Sequence, residues 1–442
     1  MPAPAGPTPL EPPPSAAAPS RTARPGAATA AAAGAVAPAA ALPWFLFASF
    51  LLNFGQGVFP PLLPEIAGTL GLSAAAAGLL GTAYSLPRAL LALPAGMLLE
   101  RLGPGRMMHG GIALVLAGTA LAGAAPSLAA MALARAIAGL GYGTAAVVGI
   151  VYLMQAGPAT ERTRRGNMYE GALITANAVS GALGGGLAVL AGWRWAMAAA
   201  AVAIAGSWVT TSRRVLPAIR LRIPGPAAAP SATPAATART AAAPPGAAAP
   251  APRGALAAIY LVVFGLAFGW AGTITTLAPL YGGQVLGLSP AAIGRALAIG
   301  YVAEAVLLLP VGWAADTFGR LRILLPGLGV LLTGLALLPL ARGAAGYTAA
   351  CALLIAGMAV WMVPPALLVE HLRGGFGGRA VGAYRLIADL GMVSAPITVG
   401  WLAGRAGFGA GATAVAAVVA ASGAVAGVRL GPHRYRRWRR MD

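Results

Sequence analysis

The sequence predicts an all-α membrane protein of twelve transmembrane helices arranged as two six-helix repeats, and three observations carry that expectation. Hydrophobic residues make up 58% of the 442-residue chain and charged residues only 9%, with a mean hydropathy of +0.78; a soluble domain averages about 25% charged residues. A spanning helix needs about 20 mostly apolar residues, and the chain holds twelve such runs. Residues 70–106 align without a gap on residues 286–322, an offset of 216, with fourteen identities in thirty-seven positions. Finally, the 30 basic residues, all Arg, are unevenly placed. With the N-terminus inside, twenty-three fall on the cytoplasmic side, four (Arg194, Arg295, Arg342, Arg405) at outer ends and three (Arg88, Arg135, Arg385) within helices. That asymmetry is the positive-inside rule. It predicts a multi-pass protein of the cytoplasmic membrane with both termini in the cytoplasm.

Residues 1–41 are rich in Ala and Pro, lack a basic start followed by an apolar core, and read as a disordered N-terminus rather than a cleaved signal. The first half, residues 42–212, holds helices over about 42–67, 74–99, 107–125, 128–155 and 168–191, with a sixth following the turn Gly192-Trp193-Arg194-Trp195. Residues 213–254 form a low-complexity, basic cytoplasmic linker that should lie along the anionic inner leaflet. The second half, residues 255–430, holds helices over about 255–281, 291–315, 323–340, 347–369, 380–402 and 408–428. Residues 431–442 form a basic aromatic tail, read as a leaflet anchor rather than a nucleic-acid contact.

The repeat is clearest in the first cytoplasmic loop of each half. One copy carries Gly96, Glu100, Arg101, Gly103 and Arg106, and the other Gly312, Asp316, Gly319, Arg320 and Arg322. This pattern resembles the loop signature of the major facilitator superfamily, with two departures: Thr317 replaces the Arg after the acid, and Pro104 and Gly105 replace basic residues. The resemblance covers about residues 42–428 and implies a twelve-helix secondary transporter working by alternating access. It also implies that these ten residues act as cytoplasmic gates. A second stretch, Arg135, Gly139 and Gly141, resembles the helix 4 motif that the family links to proton transfer. In helix 5, Gly181, Ala182, Gly185 and Gly186 resemble half of an antiporter motif, with Ala182 and Asn177 departing from it.

Composition excludes several other classes. Without a single Lys there is no phosphate-binding P-loop, so an ATP-driven pump is not expected. One Cys and three scattered His give neither an internal disulfide nor a metal cluster. No cofactor, no metal and no nucleic-acid partner are expected. The expected partners are a small-molecule substrate, protons and the lipid bilayer, and the chain is expected to act as a monomer and not as an enzyme.

Ionisable residues within spans are functional candidates, because charge at that depth costs several kcal/mol unless it meets a partner or water. The candidates are Arg88, Arg135, Glu304, Arg385 and Asp389. At about 1.5 Å of rise per residue, Arg88, Glu304 and Asp389 lie roughly 13–17 Å deep, near the midplane of a core about 30 Å thick. The repeat places Arg88 and Glu304 at equivalent positions. Glu304, with Asp389 second, is the expected proton-binding carboxylate, since burial disfavours a charged carboxylate and a nearby Arg favours it. The alternatives are a permanent Arg88–Glu304 ion pair, or separate partners for each. Arg385 and Asp389, four apart on one face, could instead neutralise each other. Asn53, Gln56, Tyr84, Asn177, Tyr301 and Trp361 are expected to line a polar cavity. Together these readings predict proton-coupled efflux; uptake of an organic anion on Arg88 and Arg135, or a transport-inactive receptor or scaffold, are the alternatives.

Overall fold

The computed structural model describes residues 41–91, 94–156, 161–218, 253–372 and 378–430. Apart from their edges, the expected N-terminal segment, linker and C-terminal tail lie outside these residues. We number the helices α1 (Leu42–Thr69), α2 (Ala74–Leu91), α3 (Ala95–Ala124), α4 (Leu128–Gln155), α5 (Arg162–Ala191) and α6 (Trp193–Thr210) in the first half. The second half follows as α7 (Gly254–Val285), α8 (Pro290–Phe318), α9 (Arg320–Leu337), α10 (Ala344–His371), α11 (Gly378–Ala406) and α12 (Phe408–Leu430). Among the described residues, 11 helices are long and apolar enough to cross a membrane. The span outside that set is α2, in which Pro87 and Arg88 interrupt an already Gly-, Ser- and Thr-containing helix. The protein is a multi-pass, all-α membrane protein.

The internal repeat is reproduced in the backbone. Gly71 and Gly287, 216 apart, have φ of 63° and 62°, and each is followed by a Ser that caps the next helix. Ser73 Oγ accepts from the Ala76 amide at 3.2 Å and Ser289 Oγ from the Ala292 amide at 3.3 Å, satisfying one orphan N–H at each helix start. Gly103 (φ 74°, ψ 159°) and Gly319 (φ 103°, ψ 133°) turn the chain between α2 and α3 and between α8 and α9. The kink at Gly103 lies inside α3, so its first residues include 95–99, which the sequence assigned to the inner end of the second helix.

Helix α1 breaks at Asn53, where Leu42–Leu52 gives way to a short turn of helix over Phe54–Gly57. Helix α7 carries two π turns, Thr273–Leu277 and Tyr281–Val285, and α10 a 3-10 stretch over Gly357–Met362. Such irregular turns open helix faces and often mark functional sites. Helical structure continues from α6 through a π turn, Thr211–Val215, to Ala218, six residues into the stretch read as linker.

The halves repeat their packing: α2 and α3 pack on α4, α3 on α6 and α5 on α6, as α8 and α9 pack on α10, α9 on α12 and α11 on α12. Between halves, α2 packs on α11 and α5 on α8. Ile174 and Ala178 of α5 join the apolar core of the second half. The central helices are the most enclosed, with 67% of the apolar stretch of α4 buried against 33% in α9. Beyond His109, six residues past the Gly103 kink, α3, α6, α9 and α12 carry ionisable residues only near their ends. At the helix ends, Glu65 of α1 accepts from the Trp193 amide that starts α6 at 3.3 Å, where a carboxylate complements the helix dipole. Arg194 donates to the Gly123 and Ala125 carbonyls that end α3.

Candidate functional site

The interface between halves is asymmetric along the membrane normal. At the arginine-poor end, a Cβ on Gly78 would lie 2.2 Å from the Pro396 carbonyl and one on Gly185 2.3 Å from the Pro290 carbonyl, both in the opposite half. Gly294 against Gly181 and Gly400 against Ala74 complete the same belt. Towards the arginine-rich end, Gly96, Gly166, Gly171, Gly312 and Gly382 have nothing within 4 Å of such a Cβ. Among the described residues, the close glycine contacts between the halves therefore lie at the arginine-poor end, where the backbones meet.

The deepest charges sit where that belt ends. Arg88 on α2 donates through Nη2 to Asp389 Oδ1 on α11 at 2.9 Å, with side chains 6% and 2% exposed. Met392 Sδ lies against the same Arg88 nitrogen, and the neighbouring Thr82 hydroxyl donates to the Val393 carbonyl at 2.8 Å. Arg385 Nε stands 3.6 Å from Asp389 Oδ2, too far for a hydrogen bond, so that buried oxygen has none. Room for Arg88 comes from Gly143 of α4, whose added Cβ would lie 2.9 Å from Arg88 Cγ. Gly139 similarly admits the Tyr84 carbonyl, and Gly141 the Gly111 carbonyl of α3. The glycines of the helix 4 motif are thus a groove in which α2 and α3 lie.

Arg135, also on α4, is buried between two rings, 3.9 Å from the Phe59 centroid and 4.2 Å from that of Tyr84. Arg88 and Arg135 both line a cavity of about 20 Å³ with Gln56, Phe59, Pro60, Gly81, Tyr84, Ser85, Trp270, Ala271 and Thr275. It lies between α1, α2 and α4 of one half and α7 of the other.

Other expected residues are placed differently. Glu304 is buried but is not paired with Arg88, and no ion pair or hydrogen bond reaches it among the described residues. The alternative of a permanent Arg88–Glu304 pair is therefore corrected: the cross-half partner of Arg88 is Asp389. The reason is packing, since α2 meets α11 while α8 meets α5. The belt contacts align Gly181 with Pro396 and Gly185 with Gly400, an offset of 215 between α5 and α11. Asp389 therefore corresponds to Ile174, an apolar residue of the core that α5 joins, so the position equivalent to the partner of Arg88 carries no charge for Glu304. Nearby are Tyr301 and the half-buried Glu170, itself within electrostatic range of Arg385.

Of the six expected cavity residues, Gln56 and Tyr84 line the central cavity and share a 3.3 Å hydrogen bond. Asn53 and Asn177 are joined to each other at 2.8 Å inside the first half, and Trp361 packs against the Val263, Ala267 and Ala388 cluster. These two asparagines and Trp361 are not among the residues that line the central cavity. The sequence reading missed Phe59, Ser85, Trp270 and Thr275. The one available signal was TITT at 273–276, polar β-branched residues in an apolar helix, where the π turn forms. Arg165, at the inner end of α5, is buried and donates to the Leu153 carbonyl at 3.2 Å.

The two loop copies are engaged unequally. Arg320 bonds Glu370 at 3.1 Å, Asp316 at 3.4 Å and the Ala366 carbonyl, tying the α8–α9 turn to α10. Glu100, Arg101 and Arg106 form no ion pair among the described residues. Arg322 lies in the first turn of α9, its amide donating to the Gly319 carbonyl at 3.1 Å.

Comparison with known proteins settles the family. The sequence profile of the Major Facilitator Superfamily matches residues 45–393. The chain belongs to the major facilitator superfamily. Two MFS-type transporter sequences of Mycobacterium tuberculosis, from strains CDC 1551 and H37Rv, are 31% identical over 143 residues, 32% of this chain; it spans 20% of their length. Among solved structures, the peptide transporter POT superposes with a TM-score of 0.67 at 15% identity, covering 87% of this chain and 94% of that one. The human organic anion transporter MFSD10 gives 0.61 at 18% identity (88% and 99% covered), and the nucleoside transporter NupG 0.63 at 13% (87% and 98%). At these identities the likeness is one of fold. The chain is a member of a family of membrane transporters.

Proposed function

We propose that this superfamily protein is a secondary active transporter of the cytoplasmic membrane. It moves a small solute by alternating access, with protons as the coupling ion and export as the direction. The observation that carries the reading is the Arg88–Asp389 bond, a buried ion pair that joins the two halves at the inner edge of the glycine belt. Breaking such a pair strands a charge at a cost of about 3–5 kcal/mol. A proton on Asp389, or a shift of its partner to Arg385 3.6 Å away, lowers that cost and lets the halves part. Glu304, buried without a cation on the other interhelical contact, is the second carboxyl whose ionisation favours a hydrated arrangement. Both carboxyls thus link proton occupancy to which end is closed. The α5 glycines that resemble half an antiporter motif, Gly181 and Gly185, belong to the closing belt, and the assignment of export rests on that resemblance.

The test needs no known substrate. Cys351 is fully buried and leaves the background unlabelled. Spin labels at Leu102→Cys with Phe318→Cys report the arginine-rich end, and at Leu121→Cys with Leu340→Cys the other; all four side chains are exposed. In liposomes, alternating access requires the two distances to change in opposite directions between acidic and alkaline pH. Asp389→Asn should abolish most of that response. A pair of distances insensitive to pH removes proton coupling, and one insensitive to every condition and to the Asp389 and Arg88 substitutions leaves a static receptor or scaffold.

A further inference from the structure

Arg135 is a buried cation held by its faces and left open at its edge. The Phe59 and Tyr84 rings lie within 3.9 and 4.2 Å of the guanidinium carbon. Each such contact returns up to about 2 kcal/mol when desolvated, but through the π face, so the in-plane N–H donors remain. A guanidinium has five. Here Nη1 makes one long contact, 3.5 Å to the Gly55 carbonyl, and the enclosed Nε has no partner. No ion pair reaches Arg135 among the described residues, and Asp389 is engaged by Arg88 and approached by Arg385.

A planar fork of unfilled donors matches a two-oxygen anion, which it binds edge to edge with two parallel hydrogen bonds. The cavity beside it has about 20 Å³ of room, about one water-sized group, so in this conformation it suits a head group rather than the body of a solute. Its remaining walls include the apolar and aromatic Phe59, Pro60, Tyr84, Trp270 and Ala271 beside Gln56, Ser85, Arg88 and Thr275. An anion arriving here neutralises a buried cation that no carboxylate pairs with among the described residues, and leaves the Arg88–Asp389 bond intact.

We infer that Arg135 is the docking point for the carboxylate of the transported solute, so that the substrates are small organic monocarboxylates with an aromatic or apolar body. The inference rests on the transporter reading and adds the substrate class to it.

Thermal unfolding of the purified full chain with benzoate, benzamide or benzylammonium tests it. Benzoate should stabilise the wild type and Arg405→Gln, a change at an exposed arginine stacked on Trp401 away from the site, while the neutral and cationic analogues should not. Losing one partner of a buried charged hydrogen bond costs about 2–5 kcal/mol, so Arg135→Gln should weaken benzoate about a hundredfold or more. Arg135→Lys, which keeps the charge without the fork, should also bind clearly more weakly, and it serves if the Gln variant does not fold. No stabilisation of the wild type by benzoate, or equal stabilisation of the Arg135 variants, overturns the inference. The spin-label distances separate the two levels. Opposite movements at the two ends without a benzoate response sink only the substrate class, whereas static distances sink the transporter reading whatever benzoate does.

Discussion

Arg88 and Asp389 lie 301 residues apart and meet at 2.9 Å, and the two ends of this bond are not equally replaceable. If Arg88 is removed, Asp389 still has Arg385 at 3.6 Å. If Asp389 is removed, Arg88 has only Met392 Sδ and a buried Nε without a partner. Asp389→Asn should therefore destabilise the protein by about 3–5 kcal/mol, and Arg88→Gln by clearly less. The double variant should be more stable than the sum of the two predicts, by about 0.5–3 kcal/mol in a double-mutant cycle. Thermal unfolding in one detergent checks both; equal losses for the two single variants would show that Arg385 gives Asp389 no support.

The paired loop glycines separate a torsional requirement from a spatial one. Gly103 and Gly319 have positive φ with extended ψ and open space around the Cβ position. Alanine there is disfavoured by the backbone alone, by about 1–3 kcal/mol. Gly96 and Gly312 have ordinary φ and the same open space, so alanine should be neutral or slightly stabilising. Four single substitutions compared by melting temperature settle this. The repeat predicts that the two sensitive positions respond alike and the two insensitive ones alike.

The glycine belt should act on conformation more than on fold. Ala at Gly78 or Gly185 would place a methyl 2.2–2.3 Å from a carbonyl of the opposite half, which cannot be accommodated while the belt is closed. Each half can relieve the clash by separating from the other. Both variants should therefore lengthen the Leu121–Leu340 label distance and shorten the Leu102–Phe318 distance. Gly139→Ala is the contrasting case: its Cβ would lie 1.8 Å from the Tyr84 carbonyl within one half. It should destabilise by about 1–3 kcal/mol or more without such a reciprocal shift.

These contrasts show which features were legible in the sequence. The offset of 216 carried the twin turns at Gly71/Gly287 and Gly103/Gly319, because a turn is local and a repeated local sequence repeats it. Hydropathy carried the helices and their depths, and so placed Arg88, Glu304 and Asp389 at one level. The partner of Arg88 was not legible. Two residues equivalent under a twofold axis need not touch, and contact here is decided by α2 packing on α11, which no period along the chain encodes. The aromatic clamp on Arg135 likewise joins Phe59 of α1, Tyr84 of α2 and a residue of α4. Neither spacing nor composition brings those three together.

Glu304 is the residue for which pseudo-symmetry makes the sharpest demand. Its place in the second half corresponds to that of Arg88, but the residue corresponding to Asp389 is Ile174, buried in the apolar core that α5 and α8 share. A carboxylate there is desolvated with no cation in hydrogen-bond reach, whereas Gln has the same shape and no charge to desolvate. Glu304→Gln should therefore leave the melting temperature at alkaline pH unchanged or higher, because removing an uncompensated buried charge removes its desolvation cost. The same variant should weaken the dependence of the label distances on pH while leaving the Arg88–Asp389 cycle energy intact, since the two groups lie on different interhelical contacts. A Glu304→Gln protein that unfolds more easily at every pH, or that loses the coupling between Arg88 and Asp389, would mean that Glu304 is an architectural member of one network with them rather than a separate proton site.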